Sequence, residues 1–161
     1  MHHIYEKIYP VNQQAALLAQ VERHRRKGRR IVFTNGCFDV VHRGHVEYLQ
    51  FCRWQGETII VGLNTDDSVR RIKGAERPIN CERDRAAVLA AMHMVDCVVL
   101  FAEDTPANLI NKIRPDVLIK GEDWADRGVA GAETVESYGG KVLFAPLVAG
   151  LSSTAVIERF K

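Results

Sequence analysis

Residues 30–45 read R-I-V-F-T-N-G-C-F-D-V-V-H-R-G-H, and they carry the clearest structural signal in the chain. The stretch opens with a run of apolar, largely β-branched residues, which is typical of a buried strand. A loop that contains Gly36 follows, and from Gly44 onward the residues have a helical pattern. The stretch therefore predicts a strand that passes through a glycine-containing loop into a helix.

Short apolar runs of the same kind recur along the rest of the chain, with helical patterns between them. This alternation is typical of strands that helical crossovers join into a parallel sheet. We therefore predict an α/β fold, a Rossmann-like open sheet of about five parallel strands with helices on both faces. The predicted strands are residues 30–35, 58–64, 96–101, 116–120 and 141–144.

The helices are predicted partly from residues that favour helix ends. Gly28 and Gly56 suit the left-handed conformation just past a helix, and Asn80 is a plausible N-cap. Thr105 followed by Pro106 is typical of an N-cap with proline at the first helical position. The predicted helices are residues 12–27, 44–55, 66–73, 80–92, 105–113, 132–138 and 152–160.

The composition limits the class of protein. With 161 residues, of which 47% are apolar, the chain can bury a sizeable core, and we expect one domain over residues 1–161 with a helical lead-in at 1–28. Twenty-two Lys and Arg against 20 Asp and Glu do not favour nucleic acid or membrane partners. We interpret the basic run at 23–30 as the solvated end of a helix.

Targeting and redox features are also absent from the sequence. The N-terminus lacks an apolar signal-peptide region, and no apolar run approaches the roughly 20 residues needed to cross a bilayer. Four widely spaced cysteines form no C-x-x-C pair, which fits reduced thiols better than a zinc knuckle or disulfides. We therefore expect a cytoplasmic protein.

The loop after the first predicted strand is the strongest candidate for chemistry. Ligands of open parallel sheets bind beyond the carboxyl ends of the strands, and a helix start favours phosphate. His42 and His45 lie three residues apart near such a start, on one side of the helix, where their N–H groups would meet a phosphoryl group. Neither a G-x-x-x-x-G-K-[ST] loop nor a G-x-G-x-x-G fingerprint occurs, which argues against a P-loop kinase and a dinucleotide-binding dehydrogenase.

The element T-N-G-C-F-D-x-x-H-x-G-H at residues 34–45 resembles the signature of the HxGH nucleotidylyltransferase superfamily. Residues 73–85, with the pattern K-G-x-x-R-P-x-N-x-x-x-x-R, resemble one branch of it, the ADP-heptose synthase nucleotidylyltransferase domain. Residues 120–124 are similar to the K-G-x-D-[YW] element of that branch, and residues 150–154 to the phosphate-binding G-x-S-T-T turn of the superfamily. The similarity runs from about Lys27 to the C-terminus.

The resemblance implies an enzyme that transfers AMP from ATP to D-glycero-D-manno-heptose 1-phosphate, making ADP-heptose and pyrophosphate for lipopolysaccharide core synthesis. ATP is then a substrate, Mg²⁺ arrives with the triphosphate because it takes few protein ligands, and the protein itself supplies no metal site. Relatives of this size commonly form homodimers, so we expect a homodimer. The implied catalytic residues are His42, His45, Lys73 and Arg85, and the implied nucleotide-binding residues are Asn35, Gly36, Cys37, Phe38, Gly44, Lys120, Gly121, Asp123, Ser152, Ser153 and Thr154.

Other interpretations remain open at this point. The alternatives for the histidines are helix capping and zinc ligation, and Asp39 either holds the loop through backbone hydrogen bonds or contacts substrate. Trp124 either packs or lines a sugar or base pocket. Residues 147–150 are L-V-A-G where the similar glycerol-3-phosphate cytidylyltransferases have R-T-E-G, which disfavours cytidylyl transfer. A GDP-heptose-forming or cytidylyl-transferring enzyme is the nearest alternative, and a non-catalytic nucleotide-binding module is an alternative of another class.

Overall fold

The computed structural model describes residues 3–159, and its central feature is a parallel sheet of six strands in that part of the chain. The predicted α/β fold with helices on both faces is confirmed. The five predicted strands are present, and a two-residue strand near the N-terminus joins them. The strands are β1 Ile8–Tyr9, β2 Ile31–Gly36, β3 Thr58–Asn64, β4 Cys97–Phe101, β5 Val117–Gly121 and β6 Lys141–Ala145.

All seven predicted helices are present, with small changes at their ends. They are α1 Gln14–Arg26, α2 Arg43–Gln55, α3 Asp66–Lys73, α4 Glu82–Ala91, α5 Ala107–Ile113, α6 Ala132–Ser137 and α7 Ser153–Glu158. Short 3-10 helices cover Ile4–Lys7, Val11–Gln13 and Glu122–Trp124. The last predicted helix extended to Phe160, which lies outside the described residues. No helix in residues 3–159 is long and apolar enough to span a bilayer.

The sheet is covered on both faces by separate apolar clusters. Leu49 of α2 and Leu89 of α4 pack with Val32 and Val61 on one face. On the other face, the side chains that pack together come from α1, α5, α6 and the alternate strand positions: Leu17, Ile31, Phe33, Ile60, Ile110, Ile113 and Val135. Each fully buried Leu, Ile or Phe side chain contributes about 1.5–3 kcal/mol to the free energy of folding, compared with the same side chain exposed to water. Burial on both faces explains why the strands read as continuous apolar runs.

The strand order determines where a ligand can enter. The order is β1-β4-β3-β2-β5-β6, and all neighbours are parallel. The chain therefore adds β3 and β4 on one side of β2, then crosses over to place β5 and β6 on the other side. The order reverses beside β2, and the crevice above such a reversal is the usual ligand site of open α/β sheets.

Some of the predicted helix ends are wrong. Gly28 has φ of +70°, as predicted, but Gly56 is extended, with φ of 179°. A Cβ on Gly56 would lie 2.8 Å from Cγ2 of Val32, so close packing explains this glycine. The cap of α4 is Cys81, not Asn80, because the Asn80 amide is used elsewhere. The N-cap of α5 is Pro106, and Thr105 stays in the preceding loop.

Candidate active site

The two histidines are held at the start of α2 by reciprocal hydrogen bonds. The Gly44 N–H donates to Nδ1 of His42 at 3.1 Å, and the His42 N–H donates to Nδ1 of His45 at 3.3 Å. The two imidazole rings lie 4.0 Å apart between centroids. The alternative that the histidines cap the helix is therefore confirmed, but this role uses only one nitrogen of each ring.

The remaining nitrogen of each ring makes no hydrogen bond within residues 3–159. Because both Nδ1 atoms accept hydrogen bonds, the neutral rings carry their proton on Nε2. Nε2 of His42 is buried and has no hydrogen-bond partner among the described residues. Burial lowers the pKa of His42, and burial together with the neighbouring His42 lowers the pKa of His45 to about 4. At neutral pH the pair therefore presents two N–H donors without fixed positive charge.

The loop that leads into α2 is shaped by glycine and by an unusual backbone angle. Phe38 has φ of +46°, a conformation that non-glycine residues rarely adopt. A Cβ on Gly36 would lie 3.0 Å from the Phe38 ring, and one on Gly44 would lie 2.9 Å from Cε1 of His42. Larger residues at either glycine would displace the ring beside it, so both glycines keep the loop and His42 in place.

Asp39 fixes this loop to the segment before α4. Its carboxylate accepts hydrogen bonds from the amides of Ile79 and Asn80 at 2.8 and 2.9 Å and from Nε of Arg77 at 2.6 Å. The amide side chain of Asn80 in turn donates to the Asp39 carbonyl at 2.7 Å. Burial by itself would raise the pKa of Asp39, but these hydrogen bonds outweigh it and lower the pKa. Of the two roles considered for Asp39, the structure shows backbone anchoring.

Arg85 is placed differently from the other predicted catalytic residues. It is 1% exposed, and its guanidinium donates to the carbonyls of Cys37, Asn64 and Asn80 and to the carboxylate of Asp66. It does not line the cavity described below. The structure therefore shows Arg85 joining the ends of β2 and β3 to α4, and direct contact of Arg85 with substrate stays a prediction.

A cavity of about 580 Å³ opens above the carboxyl ends of β2, β3 and β5. Its lining brings together all of the predicted site residues except Arg85, from parts of the chain more than 100 residues apart: Asn35, Gly36, Cys37, Phe38, His42, Gly44, His45, Lys73, Lys120, Gly121, Asp123, Ser152, Ser153 and Thr154. Ser152 caps α7 by accepting a hydrogen bond from the Ala155 amide at 3.0 Å. The Lys73 ammonium has no hydrogen-bond partner among residues 3–159, so its charge is free for a ligand.

Lys120 links the loop after β2 to the aromatic side of the cavity. Its ammonium donates to the carbonyl and side-chain oxygens of Asn35 at 3.2 and 3.3 Å and lies 4.5 Å from the centre of the Trp124 ring. Burial lowers the pKa of Lys120 to about 8, although the Asp123 carboxylate opposes the change. Of the two roles considered for Trp124, the structure shows lining of the cavity, with the residue 38% exposed.

Several lining residues were not identified from the sequence. Tyr48 donates its hydroxyl to the Ile119 carbonyl at 3.0 Å and lies 2.6 Å from Oγ1 of Thr34, which holds α2 against β2 and β5. Tyr48 could have been identified from the sequence because it lies three residues after His45, on the same face of α2. Ile72 lies in α3, and further lining residues come from loops that follow strands, where no motif marks individual residues: Asp104, Thr105, Arg127, Leu147 and Leu151.

The alternative that the histidines hold zinc lacks further ligands. Among residues 3–159, no group of three or more His, Cys, Asp or Glu side chains is arranged to hold a metal ion. A structural zinc site normally needs four such ligands. The four cysteines are all unpaired thiols.

Comparison with known proteins adds a family and two kinds of relative. Residues 33–159 match the cytidylyltransferase-like family. The bifunctional protein HldE of Syntrophotalea carbinolica is 48% identical over 158 residues, which cover 98% of this chain and 32% of that protein. The bifunctional protein HldE of Geotalea uraniireducens is 53% identical over 91% of this chain and 30% of that protein. The chain thus spans about a third of the length of these relatives.

A solved structure shows a similar fold. The crystal structure of the lipopolysaccharide core biosynthesis protein from Thermoplasma volcanium GSS1 has a TM-score of 0.60 and 26% sequence identity. The match covers 75% of this chain and 98% of that one. The region in common therefore includes nearly all of that smaller protein.

Proposed function

The chain belongs to the cytidylyltransferase-like family, and on this premise we propose that it transfers AMP from ATP to D-glycero-D-manno-heptose 1-phosphate. The products would be ADP-heptose and pyrophosphate, for use in lipopolysaccharide core synthesis. The motifs at residues 73–85 and 120–124 support this branch of the family, and so does the likeness to a lipopolysaccharide core biosynthesis protein.

The observation that carries the proposal is the unpartnered donor on His42. A buried N–H without an acceptor costs on the order of 1–3 kcal/mol, so its retention points to a ligand that supplies the acceptor. The ring of His45, 4.0 Å away, provides a second donor at the same helix start. Two neutral N–H donors at a helix N-terminus suit the oxygens of a polyphosphate.

The reaction requires positioning more than acid–base catalysis. A phosphate oxygen of the sugar phosphate attacks the α-phosphorus of ATP and forms a new P–O bond. The bond from that phosphorus to the bridging oxygen of the β-phosphate breaks, and pyrophosphate leaves with the electron pair. Because the second pKa of a phosphate monoester is about 6, the attacking oxygen is already ionised near neutral pH and needs no general base.

Different cavity residues stabilise the charges of different substrate groups. His42 and His45 donate hydrogen bonds to the triphosphate. The hydrogen bond from His45 strengthens most as negative charge grows on the α-phosphoryl oxygens. Lys73 offsets the negative charge of the two phosphorylated substrates, and Ser152, Ser153 and Thr154 hold the nucleotide at the start of α7. Mg²⁺ arrives as part of the substrate, bound to the triphosphate. The carboxylates of Asp39 and Asp66 are engaged by arginines, which fits an ion that brings its own ligands.

Location and assembly complete the proposal. We place the enzyme in the cytoplasm, where a reducing environment suits its four free thiols. We also propose a homodimer, as the resemblance to relatives of this size implies. Sedimentation velocity at micromolar concentration tests the assembly, and a single species with the mass of one chain would contradict it.

The substrates are tested by measuring pyrophosphate release with each of the common nucleoside triphosphates. Each is paired with heptose 1-phosphate, glycerol 3-phosphate and phosphopantetheine. We expect turnover with ATP and heptose 1-phosphate at least tenfold above every other pair, since each kilocalorie-scale contact changes the rate several-fold. Preferred release with CTP and glycerol 3-phosphate would replace the proposal by the cytidylyl alternative, and release with no pair would favour a non-catalytic binding module.

The role of the histidines is tested with His45→Ala in the productive assay. Loss of one preorganised donor to the transition state costs about 3 kcal/mol, so we expect kcat to fall on the order of 100-fold. His93→Ala removes an exposed histidine outside the cavity and serves as the matched control. If His45→Ala keeps kcat within a few-fold of the parent protein, the role assigned to His45 is wrong.

A further inference from the structure

The cavity has two sides with different chemistry, and the loop that joins β2 to α2, residues 37–42, separates them. Since β3 and β4 lie on one side of β2 and β5 and β6 on the other, the loops that follow these strands line opposite sides. One side is built from Ile72 and Lys73 of α3 and from Asp104, Thr105 and Pro106 after β4. The other side is built from the segments after β5 and β6, which contribute Lys120, Asp123, Trp124, Leu147, Val148 and Leu151.

The side formed after β5 and β6 suits a nucleobase. Trp124 is 38% exposed and Leu147 is 49% exposed, so both present apolar surface to the cavity. A planar base gains from contact with aromatic and aliphatic side chains, whereas a sugar with many hydroxyl groups needs hydrogen-bond partners. Ser152, which precedes α7, lines this side of the cavity as well.

From this division we propose that the loop after β4, residues 102–106, is the acceptor subsite, in which Asp104 and Thr105 bind hydroxyl groups of the phosphorylated sugar. The inference rests on the proposed function and assigns the acceptor to one side of the same cavity. Lys73, at the end of α3, then faces the phosphate of the acceptor from that side.

Asp104 and Thr105 have hydrogen-bonding capacity to spare. Oδ1 of Asp104 accepts from Nε of Arg71 at 2.8 Å, and its side chain is 63% exposed. Neither its second oxygen nor the Thr105 hydroxyl has a partner within the described part of the chain. A carboxylate oxygen accepts from sugar hydroxyls, and a threonine hydroxyl both donates and accepts. The pair can therefore satisfy two neighbouring hydroxyl groups.

The loop is held in place before any ligand arrives. Arg71 donates to the Ala102 carbonyl as well as to Asp104, and the Ser68 hydroxyl donates to the Glu103 carbonyl at 3.0 Å. Both Ser68 and Arg71 belong to α3, the helix that ends at Lys73. One helix therefore positions the cation for the acceptor phosphate and the loop for the acceptor sugar, so that the two groups keep a fixed separation.

The subsite is tested by steady-state kinetics of Asp104→Ala and Thr105→Val with ATP and sugar phosphate varied in turn. We expect KM for the sugar phosphate to rise about tenfold or more in Asp104→Ala and several-fold in Thr105→Val, as for lost hydrogen bonds to a charged and a neutral group. KM for ATP should stay within about twofold. A rise in KM for ATP alone, or no change in either KM, overturns the subsite.

Two control variants separate binding from loop structure. Asp67→Ala removes a carboxylate of α3 that is 82% exposed and does not line the cavity, and it should leave both KM values unchanged. Arg71→Ala removes the ion pair and the hydrogen bond to the Ala102 carbonyl but keeps the Asp104 carboxylate. If Arg71→Ala raises KM for the sugar phosphate as much as Asp104→Ala does, the Asp104 effect is structural and the subsite is rejected.

Failure of the proposed function gives a different result. A wild-type enzyme that ignores heptose 1-phosphate but turns over glycerol 3-phosphate refutes the heptose assignment. The same variants are then compared with glycerol 3-phosphate, and a selective rise in its KM still supports the loop after β4 as the acceptor side. Unchanged KM for that acceptor refutes the subsite as well.

Discussion

At the scale of single residues, the neutral state of His45 is a consequence of where the chain places it. The ring lies behind Phe38, 5.2 Å between centroids, and against His42, and burial with this neighbour lowers its pKa to about 4 from an ordinary 6.5. A proton on the ring would have to share the pocket with the partial positive charge of the α2 N-terminus. The partial positive charge of the helix N-terminus, which disfavours a proton, favours an anion.

This pKa predicts a specific pH dependence of stability. Between pH 6.5 and about 4, the unfolded chain binds a proton at His45 that the folded chain does not bind, so the free energy of unfolding falls as the pH falls. The contribution is about 3 kcal/mol at most. Urea unfolding across this pH range should show a flatter dependence in His45→Asn than in the parent protein. The control is the exposed His93→Asn, and equal slopes in all three proteins would contradict the prediction.

The positions of site residues could be predicted from the sequence where a motif follows a predicted strand. His42, His45, Gly36 and Ser152 all line the cavity, while their roles in binding stay predictions. The burial of Arg85 could not be predicted from the sequence. The motif identifies the arginine, but the periodic pattern does not reveal that its side chain on α4 points into the protein interior. Asp104 was missed because its pairing depends on α3 and β4 meeting in space.

At the scale of the elements, Arg85 connects four parts of the site. It binds the carbonyls that end β2 and β3 and the turn before α4, together with Asp66 at the start of α3. The carbonyls of Cys37 and Asn64 lie at the ends of β2 and β3, and the carbonyl of Asn80 lies in the turn before α4. The arginine therefore provides hydrogen-bond donors to backbone carbonyls at the carboxyl ends of the central strands, beneath the cavity.

Arg85→Met should lower the free energy of unfolding by about 3–5 kcal/mol, because it leaves buried carbonyls and a carboxylate without a donor. Arg70→Met removes an arginine from an exposed pair with Asp67, 51% and 82% exposed, and should cost about 1 kcal/mol or less. Urea unfolding of both variants at pH 7 is the measurement. An Arg85→Met protein that keeps its stability but loses turnover would instead support the direct substrate contact that the motif suggests.

The elements themselves could be predicted where they are long and periodic. The bounds of α3 match the prediction, and β3 does as well. Strand β1 was missed because two residues, Ile8 and Tyr9, provide no pattern, and only pairing with Val98 and Val99 of β4 makes them a strand. Asn80 was assigned to a cap since its local sequence favours one, but the tertiary hydrogen bond to Asp39 takes its side chain.

At the scale of the whole molecule, the cavity depends on loops from both halves of the sheet. The segments after β2, β3 and β4 and those after β5 and β6 all reach it, and no single βα unit builds the site alone. A nucleotide bound there contacts segments that are far apart in sequence. Unfolding of any one of them removes part of the ligand's contacts, so binding is linked to the stability of the entire fold.

MgATP should therefore raise the melting temperature of the whole protein in one transition. At 100 times its Kd, a ligand that binds only the folded state adds about 2.7 kcal/mol, which for a chain of this size is about 5–10 °C. The double variant His42→Ala/His45→Ala loses two capping bonds and starts lower, so the nucleotide-induced shift, and not the melting temperature itself, is compared. We expect that shift to fall to less than half in the double variant and to remain complete in His93→Ala. Differential scanning fluorimetry measures the shift. An equal shift in all three proteins would mean that the nucleotide does not bind the imidazoles and that the polyphosphate lies elsewhere in the cavity.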